Sequence, residues 1–361
     1  MIDAALALTV EWYEDPLPPW LEAALIALHG NLYSTLEAIR LFNPGAALSA
    51  FVLRRGDAPV QIVVFGIDGR RANVLNAVIR LGADEIALFA RGLFARCPRV
   101  SAIAFQPSQV EAGGLAYPHQ HGVVQEDIVV TLPGTADEFR MRLGGETRRN
   151  LKRRSDQLDR EHPSNAFEAR VGADVPDEWI GEILRFHYAR MAGKNKQSGI
   201  DREYEREIRA LVRRFGVVGV VTIEGRIAAG AIGYRVGANH YLHVIAHDPR
   251  YDRVSLGRLC VYAMIRDCIG REAREFHFLW GEYDYKYNFL GVRRDLALLT
   301  VYRSRLHVLL HPRLFLATAA RLARRRLKPR IAALRQRLHA RARPAQRSPA
   351  ATDQRESGRA G

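Results

Sequence analysis

The chain has 361 residues, 48% of them hydrophobic and 26% charged, an ordinary globular composition with room for two cores. No apolar run reaches the roughly 18 residues that a membrane span needs, and the three cysteines, Cys97, Cys260 and Cys268, show neither metal spacing nor a framework of pairs. The net charge of +15 is local: residues 296–352 hold 14 Lys/Arg and no Asp or Glu, which leaves about +1 for everything before them, so any polyanionic partner concerns this basic tail first.

The N-terminal MIDAALALTVEWYED lacks a basic n-region and soon turns acidic; no signal peptide is expected, and the cytoplasm is the expected compartment. Trp20 to Leu28 has helical spacing, and Pro44-Gly45 breaks the pattern. Residues 51–55 and 60–67 read as strands around a turn at Gly56-Asp57. Ala83 to Phe94 reads as a helix, and Val100 to Phe105 and Asp127 to Leu132 as strands. This first unit, residues 1–135, contains no site motif. His119 and His121 flank Gln120 without a third ligand nearby, so no metal is expected.

Pro133-Gly134-Thr135 opens a second unit, residues 136–305. A helix from Asp137 continues through 146–161, with Leu143, Leu151 and Leu158 on one side and Arg148, Arg149, Lys152 and Arg153 on another. Amphipathic helices follow at 177–192 and after Asp201, an N-cap. The hydrophobic period then changes from 3.6 to 2, and 217–223, 227–236 and 240–247 read as an antiparallel meander. Alternation places Tyr241, His243 and His247 on one face and His240 on the other. His243 is a candidate acid/base residue, since imidazole titrates near neutrality. A helix from Ser255 to Gly270, a buried strand EFHFLWG (275–281), a loop and a strand at 295–303 complete the unit.

Two segments of this unit carry chemistry. The helix start at Ser255-Leu256-Gly257 offers free N–H groups and a positive dipole end; Gly257 permits close approach of a pyrophosphate, and Arg253 and Arg258 add charge. The same stretch also reads as an ordinary capped helix. In the loop, Glu282 has the chemistry to deprotonate an amine or hydroxyl, Lys286 to neutralise a phosphate or an oxyanion, and Tyr285 to stack or donate. Surface pairing of Lys286 with Glu282 or Asp284 is the plainer reading. Cys260 and Cys268 fall within a helix and are not taken as nucleophiles.

Three stretches in this order resemble a known family. They are Arg148-Arg149-Asn150-Leu151-Lys152-Arg153; His247-Asp248-Pro249-Arg250-Tyr251 followed by Ser255-Leu256-Gly257; and Leu279-Trp280-Gly281-Glu282-Tyr283-Asp284-Tyr285-Lys286. With the element order, they make residues 137–303 resemble a GNAT-type acyltransferase of the BioF2-like or CelD-like branch, a relative of the Fem-type aminoacyltransferases. Leu256 stands where that family often has Pro, and the glycine-rich pyrophosphate fingerprint is reduced to Arg253-Val254-Ser255-Leu256-Gly257-Arg258.

The resemblance implies a mixed α/β (α+β) fold with a GNAT-type second half. No sequence repeat is visible, which leaves open a degenerate GNAT-like half before it. It also implies acetyl transfer from acetyl-CoA as co-substrate, with no metal, to an amine or hydroxyl of a sugar or cell-envelope precursor. Glu282, Tyr285, Lys286 and His243 are the catalytic candidates. Arg253, Ser255, Leu256, Gly257 and Arg258 are the coenzyme-binding candidates, and Arg148, Arg149 and Lys152 the substrate-binding ones. The competing readings are a Fem-like aminoacyltransferase using charged tRNA, and a non-catalytic adaptor docking on membranes or nucleic acid.

Residues 306–361 form the tail. The stretch 312–327 carries Phe315, Ala319, Leu322 and Leu327 near one side with arginines around it, and Ile331, Leu334 and Leu338 start a second stripe after Pro329. A basic amphipathic appendage that touches the inner face of the membrane is expected. Specific nucleic-acid binding is not, since Phe315 is the one aromatic among these arginines.

Overall fold

The computed structural model describes residues 8–325. In chain order the elements are β1 (Leu8–Glu14), α1 (Trp20–His29), α2 (Leu36–Phe42), β2 (Ser49–Arg55), β3 (Ala58–Asp68), β4 (Arg71–Val74), β5 (Arg80–Leu81), α3 (Ala83–Arg96), β6 (Ala102–Val110) and β7 (His119–Thr131). Then come α4 (Ala136–Arg142), α5 (Gly145–Glu161), β8 (Ala166–Val171), α6 (Asp177–Gly193), α7 (Arg202–Phe215), β9 (Gly216–Ile223), β10 (Arg226–Val236) and β11 (Asn239–His247). The series closes with α8 (Leu256–Gly270), β12 (Glu275–His277), α9 (Asp284–Asn288), β13 (Val292–Tyr302) and α10 (Arg305–Leu309).

Local chemistry accounts for many of these boundaries. Asp201 caps α7 as expected, its carboxylate accepting the Tyr204 N–H at 2.9 Å. Thr35 and Thr135 cap α2 and α4 in the same way. The expected single helix after Asp137 is broken into α4 and α5 at Gly144. Strands β1 and β8 escape the sequence reading; both lie at sheet edges, and their burial is too shallow to impose a strict alternation.

The main sheet runs β1-β2-β3-β4-β6-β13-β7-β12-β11-β10-β9-β8. Read from its two ends it repeats itself: a strand, two helices, three antiparallel strands, a helix and a strand that pairs in parallel with the third, β4 with β6 and β11 with β12. The second half is thus a GNAT-type arrangement, and the first repeats it. The closing strands are exchanged. β13 pairs with β6, which belongs to the first half, while β7 pairs with β12, which belongs to the second. β13 and β7 pair with each other from Val292↔Val129 to Val301↔His119.

Helices cover both faces. On one, α1 and α2 pack over Ala50, Val52, Ile62 and Val64, and α6 and α7 over Val218, Val220, Ile232 and Val244. On the other, α3 covers Phe51, Val63 and Phe65, while α4, α5 and α8 cover Val217, Ala231 and Phe276. Side chains such as Phe89 and Ile183 are fully buried, each contributing about 1.5–3 kcal/mol. The stretch 312–325 is helical and lies on the sheet: Thr318 meets Thr300, Leu322 covers Gly122, and Arg325 pairs with Glu126. Leu327, Pro329, Ile331, Leu334 and Leu338 lie outside the described residues.

Candidate active site

Strands β11 and β12 run side by side for three pairs only: Asn239↔Glu275, His240↔Phe276 and Tyr241↔His277. Above them they part. β11 continues to His247, while the chain after His277 turns toward β7, the Phe278 N–H donating to the Ile128 carbonyl at 2.8 Å. This is why the expected strand 275–281 ends at His277. Parting strands leave backbone groups free to receive an extended ligand arm.

His243 lies on the β11 wall. Ile232 pairs with Val244 but Gly233 with Leu242, so His243 is the extra residue of a β-bulge. The bulge breaks the expected alternation. His243 faces α7 and meets the Tyr204 hydroxyl at 3.0 Å, while His247 faces α8. Burial drives His243 down to about 4 and Tyr204 up to about 12. The lowered imidazole favours the uncharged form of His243 beside the Tyr204 hydroxyl.

At the far end of β11, Asp248 accepts the Arg250 N–H and guanidinium, and Ser255 turns left-handed (φ 56°) to start α8 with no side-chain cap. The helix start is bare, as expected. A Cβ on Gly257 would lie 2.7 Å from His247 Nδ1, so this glycine is already required by helix-on-strand packing. Arg253 is taken up by Glu161 at 2.8 Å. Arg258 lines a hollow of about 130 Å³ with Ser255, Leu259, Asn150, Arg153 and Arg154. Arg148, Arg149 and Lys152 stand one groove further on, a 710 Å³ trough floored by Leu158, Phe167 and Tyr262. Among the described residues Arg149, Arg153, Arg154 and Arg258 form no ion pair with a carboxylate. The candidate coenzyme and substrate residues thus share one basic flank of α8.

The loop after β12 departs further from expectation. Lys286 is 2% exposed, and its ammonium donates to the carbonyls of Phe278, Leu279 and Trp280 at 2.9, 3.1 and 2.7 Å. It is neither a surface lysine nor a partner of Glu282 or Asp284. Burial lowers it to about 8, against the upward pull of Asp127 and Glu126. Glu282 is held by Arg293 at 2.9 Å and by the Tyr287 hydroxyl at 3.3 Å, so acting as a base requires it to leave that pair. Tyr285 packs its ring edge on Phe278, and burial raises its hydroxyl to about 12.

A second group of residues, absent from the sequence reading, lies below the point of parting. A cavity of about 870 Å³ opens there between the two halves, lined among others by Asp127, Tyr241, Glu275, His277 and Arg294. His277 Nδ1 lies 2.7 Å from Asp127 Oδ2, and Arg294 reaches Glu275 with both terminal nitrogens, at 2.8 and 2.5 Å. Tyr241 stacks on His277 at 4.2 Å between centroids and donates its hydroxyl to the Gly30 carbonyl. Burial opposes protonation of His277, but Asp127 and Glu275 outweigh it and the imidazole is raised. Hydrogen bonds from His277 and Arg294 hold Glu275 far below the usual carboxylate range. Asp127 Oδ1 has no hydrogen-bond partner among the described residues. The sequence held one signal for this cluster: Glu275 and His277 alternate with Phe276 in an otherwise apolar strand.

Residues 145–287 match the family model described as an acetyltransferase (GNAT) domain. No curated protein matches the chain. Among solved structures, FemX is 10% identical with a TM-score of 0.63, over 83% of this chain and 99% of that one. L-PGS from Bacillus licheniformis is 15% identical with a TM-score of 0.54, over 87% and 98%. A conserved protein of unknown function from Bacteroides thetaiotaomicron is 12% identical with a TM-score of 0.51, over 80% and 99%. At these identities the likeness is one of fold, and it extends across both halves.

Proposed function

For a chain whose residues 145–287 match the GNAT acetyltransferase domain model, we propose acyl transfer from acetyl-CoA to an amine or hydroxyl of a sugar or cell-envelope precursor. The observation that carries this reading is the parting of β11 and β12 directly above Tyr241 and His277, where the cavity begins. A thioester arm lying between the parted strands ends where an acceptor in the cavity starts. The anionic end of the coenzyme then points to the bare start of α8 and to Arg153, Arg154 and Arg258. The acceptor attacks the thioester carbon, the C–S bond breaks, CoA leaves as the thiol, and the proton of the acceptor passes to solvent or to the thiolate. Proximity in such a site supplies much of the rate.

Calorimetry with CoA and incubation with labelled acetyl-CoA test this. CoA is expected to bind, and Arg258→Ala to weaken it about ten-fold, the value of one charge-assisted hydrogen bond. A wild-type protein that ignores CoA overturns the reading. Transfer from charged tRNA is the second reading, favoured by the further cations Arg148, Arg149 and Lys152 beyond the hollow. Binding of aminoacyl-tRNA without binding of CoA would establish it in place of the first.

A further inference from the structure

The segment from Arg305 to Arg325 packs with its polar side inward. His311 bonds Ser101 at 2.7 Å, Thr318 meets Thr300, and Arg325 is paired with Glu126 against the sheet. Four of its six leucines face out, Leu306, Leu309, Leu310 and Leu316 being 64%, 75%, 50% and 65% exposed, while Leu314 and Leu322 are half-buried. The exposed positions 306, 309 and 310 lie on α10 and the turn after it, and the exposed positions 313, 316, 317 and 320 on the separate helix that starts at Pro312. A globular helix ordinarily buries its leucines and exposes its threonine and arginines. Here four leucines stay outside while Thr318 and Arg325 turn in, so something other than the body of the protein is suited to the exposed apolar face.

The charges around that face select the partner. Arg305, Arg313, Arg321 and Arg324 are exposed along it, and no Asp or Glu occurs anywhere in residues 296–352. A second copy of the chain would bring an equally basic face against this one, and like charges oppose that pairing. Nucleic acid would satisfy the arginines and leave the leucines in water. An anionic lipid surface satisfies both, with leucines entering the acyl boundary and arginines meeting phosphates.

We propose that the exposed face of residues 305–324 is a peripheral docking surface for an anionic phospholipid bilayer. It is independent of the transfer chemistry: none of these residues lines the parted strands or the cavity below them. No helix among the described residues is long and apolar enough to cross a membrane, so contact through this face is interfacial.

Flotation with vesicles of phosphatidylcholine and phosphatidylglycerol (3:1), and of phosphatidylcholine alone, tests the assignment on the full chain. The wild type is expected to float with the anionic vesicles and not with the neutral ones. Changing Leu306, Leu309 and Leu316 together to Glu is expected to weaken flotation about ten-fold or more with little change in melting temperature, since these side chains are mostly exposed in the free protein. If the glutamate variant fails to fold, serine at the same positions makes the same comparison. Three results overturn the proposal: no flotation of the wild type, flotation that the leucine changes leave intact, or a wild-type dimer that those changes dissolve without any vesicle binding.

Discussion

Three main-chain carbonyls in a tight loop would ordinarily turn to water; here the Lys286 ammonium gathers those of Phe278, Leu279 and Trp280. Removing it leaves buried acceptors unsatisfied beside Asp127, which costs about 1–3 kcal/mol per orphaned group. Lys286→Ala is therefore expected to lower stability by about 3 kcal/mol and to release the wall of the cleft. A melting curve of the variant checks this: an unchanged Tm with lost transfer would instead place Lys286 in the reaction itself. The buried imidazoles set the pH profile. His29 and His243 are lowered to about 4 and His240 to about 3, all by burial. Their stabilisation is present above the ordinary 6.5 and is lost as pH falls through those values. His277 is raised, so its contribution is complete below 6.5 and is lost as pH rises through its folded value. These four imidazoles by themselves favour a maximum near pH 6.5, while Lys286, lowered to about 8, adds stability as pH rises above that value. His277→Gln should flatten the alkaline limb between pH 6.5 and 9 and leave the acid limb in place, as thermal melts across pH 4–9 would reveal; an alkaline limb unchanged in the variant counts against the charged Asp127–His277 pair.

At the scale of elements, α8 and β11 are fitted through a single glycine. Gly257 touches the His247 ring, and His247 is itself held by Asp252 at 2.7 Å. Gly257→Ala should destabilise by about 1–3 kcal/mol through overpacking. In a His247→Ala background the same change should cost under about 1 kcal/mol, because the atoms it meets are gone. Denaturant titration of the four proteins closes a double-mutant cycle, and additive effects would show that the contact does not set the packing. The elements were legible in the sequence wherever one face is buried and periodic: the stripe of α7 and the meander β9–β10–β11 stand close to their expected limits. The bulge was not: one extra residue reverses the facing of His243 relative to His247, and the glycine opposite it, Gly233, is one of two in an apolar strand. The bare start of α8 was legible because its chemistry lies in consecutive residues.

At the scale of the molecule, the Asp127–His277 pair of the cavity cluster escaped the sequence because its two members meet only through strand exchange. Asp127 comes from β7 and His277 from β12, and β7 reaches β12 by crossing out of its own half. Nothing local to either residue signals a partner 150 positions away. The same exchange decides whether the halves are separable. Residues 8–135 alone would keep β6 without β13 and β7 without either neighbour, exposing Leu299-facing core such as Ile103 and Phe105 and an unpaired strand thirteen residues long. Residues 136–325 alone would leave β13 with no strand on either side. Unpaired long edges with apolar faces aggregate. Each half expressed separately should therefore be insoluble or lack cooperative unfolding, while the two expressed together should associate and recover one transition. Co-purification of a tagged first half with the second, followed by a thermal melt, tests this. A soluble first half with its own cooperative transition would mean that β6 and β7 can pair directly, and that the exchanged strand is an addition to a self-sufficient fold. The expected dependence follows from β13 lying between them, paired with β7 from Val292 to Val301 and with β6 from Ala297 to Tyr302, with core residues Leu299 and Val301 packed among those of the first half.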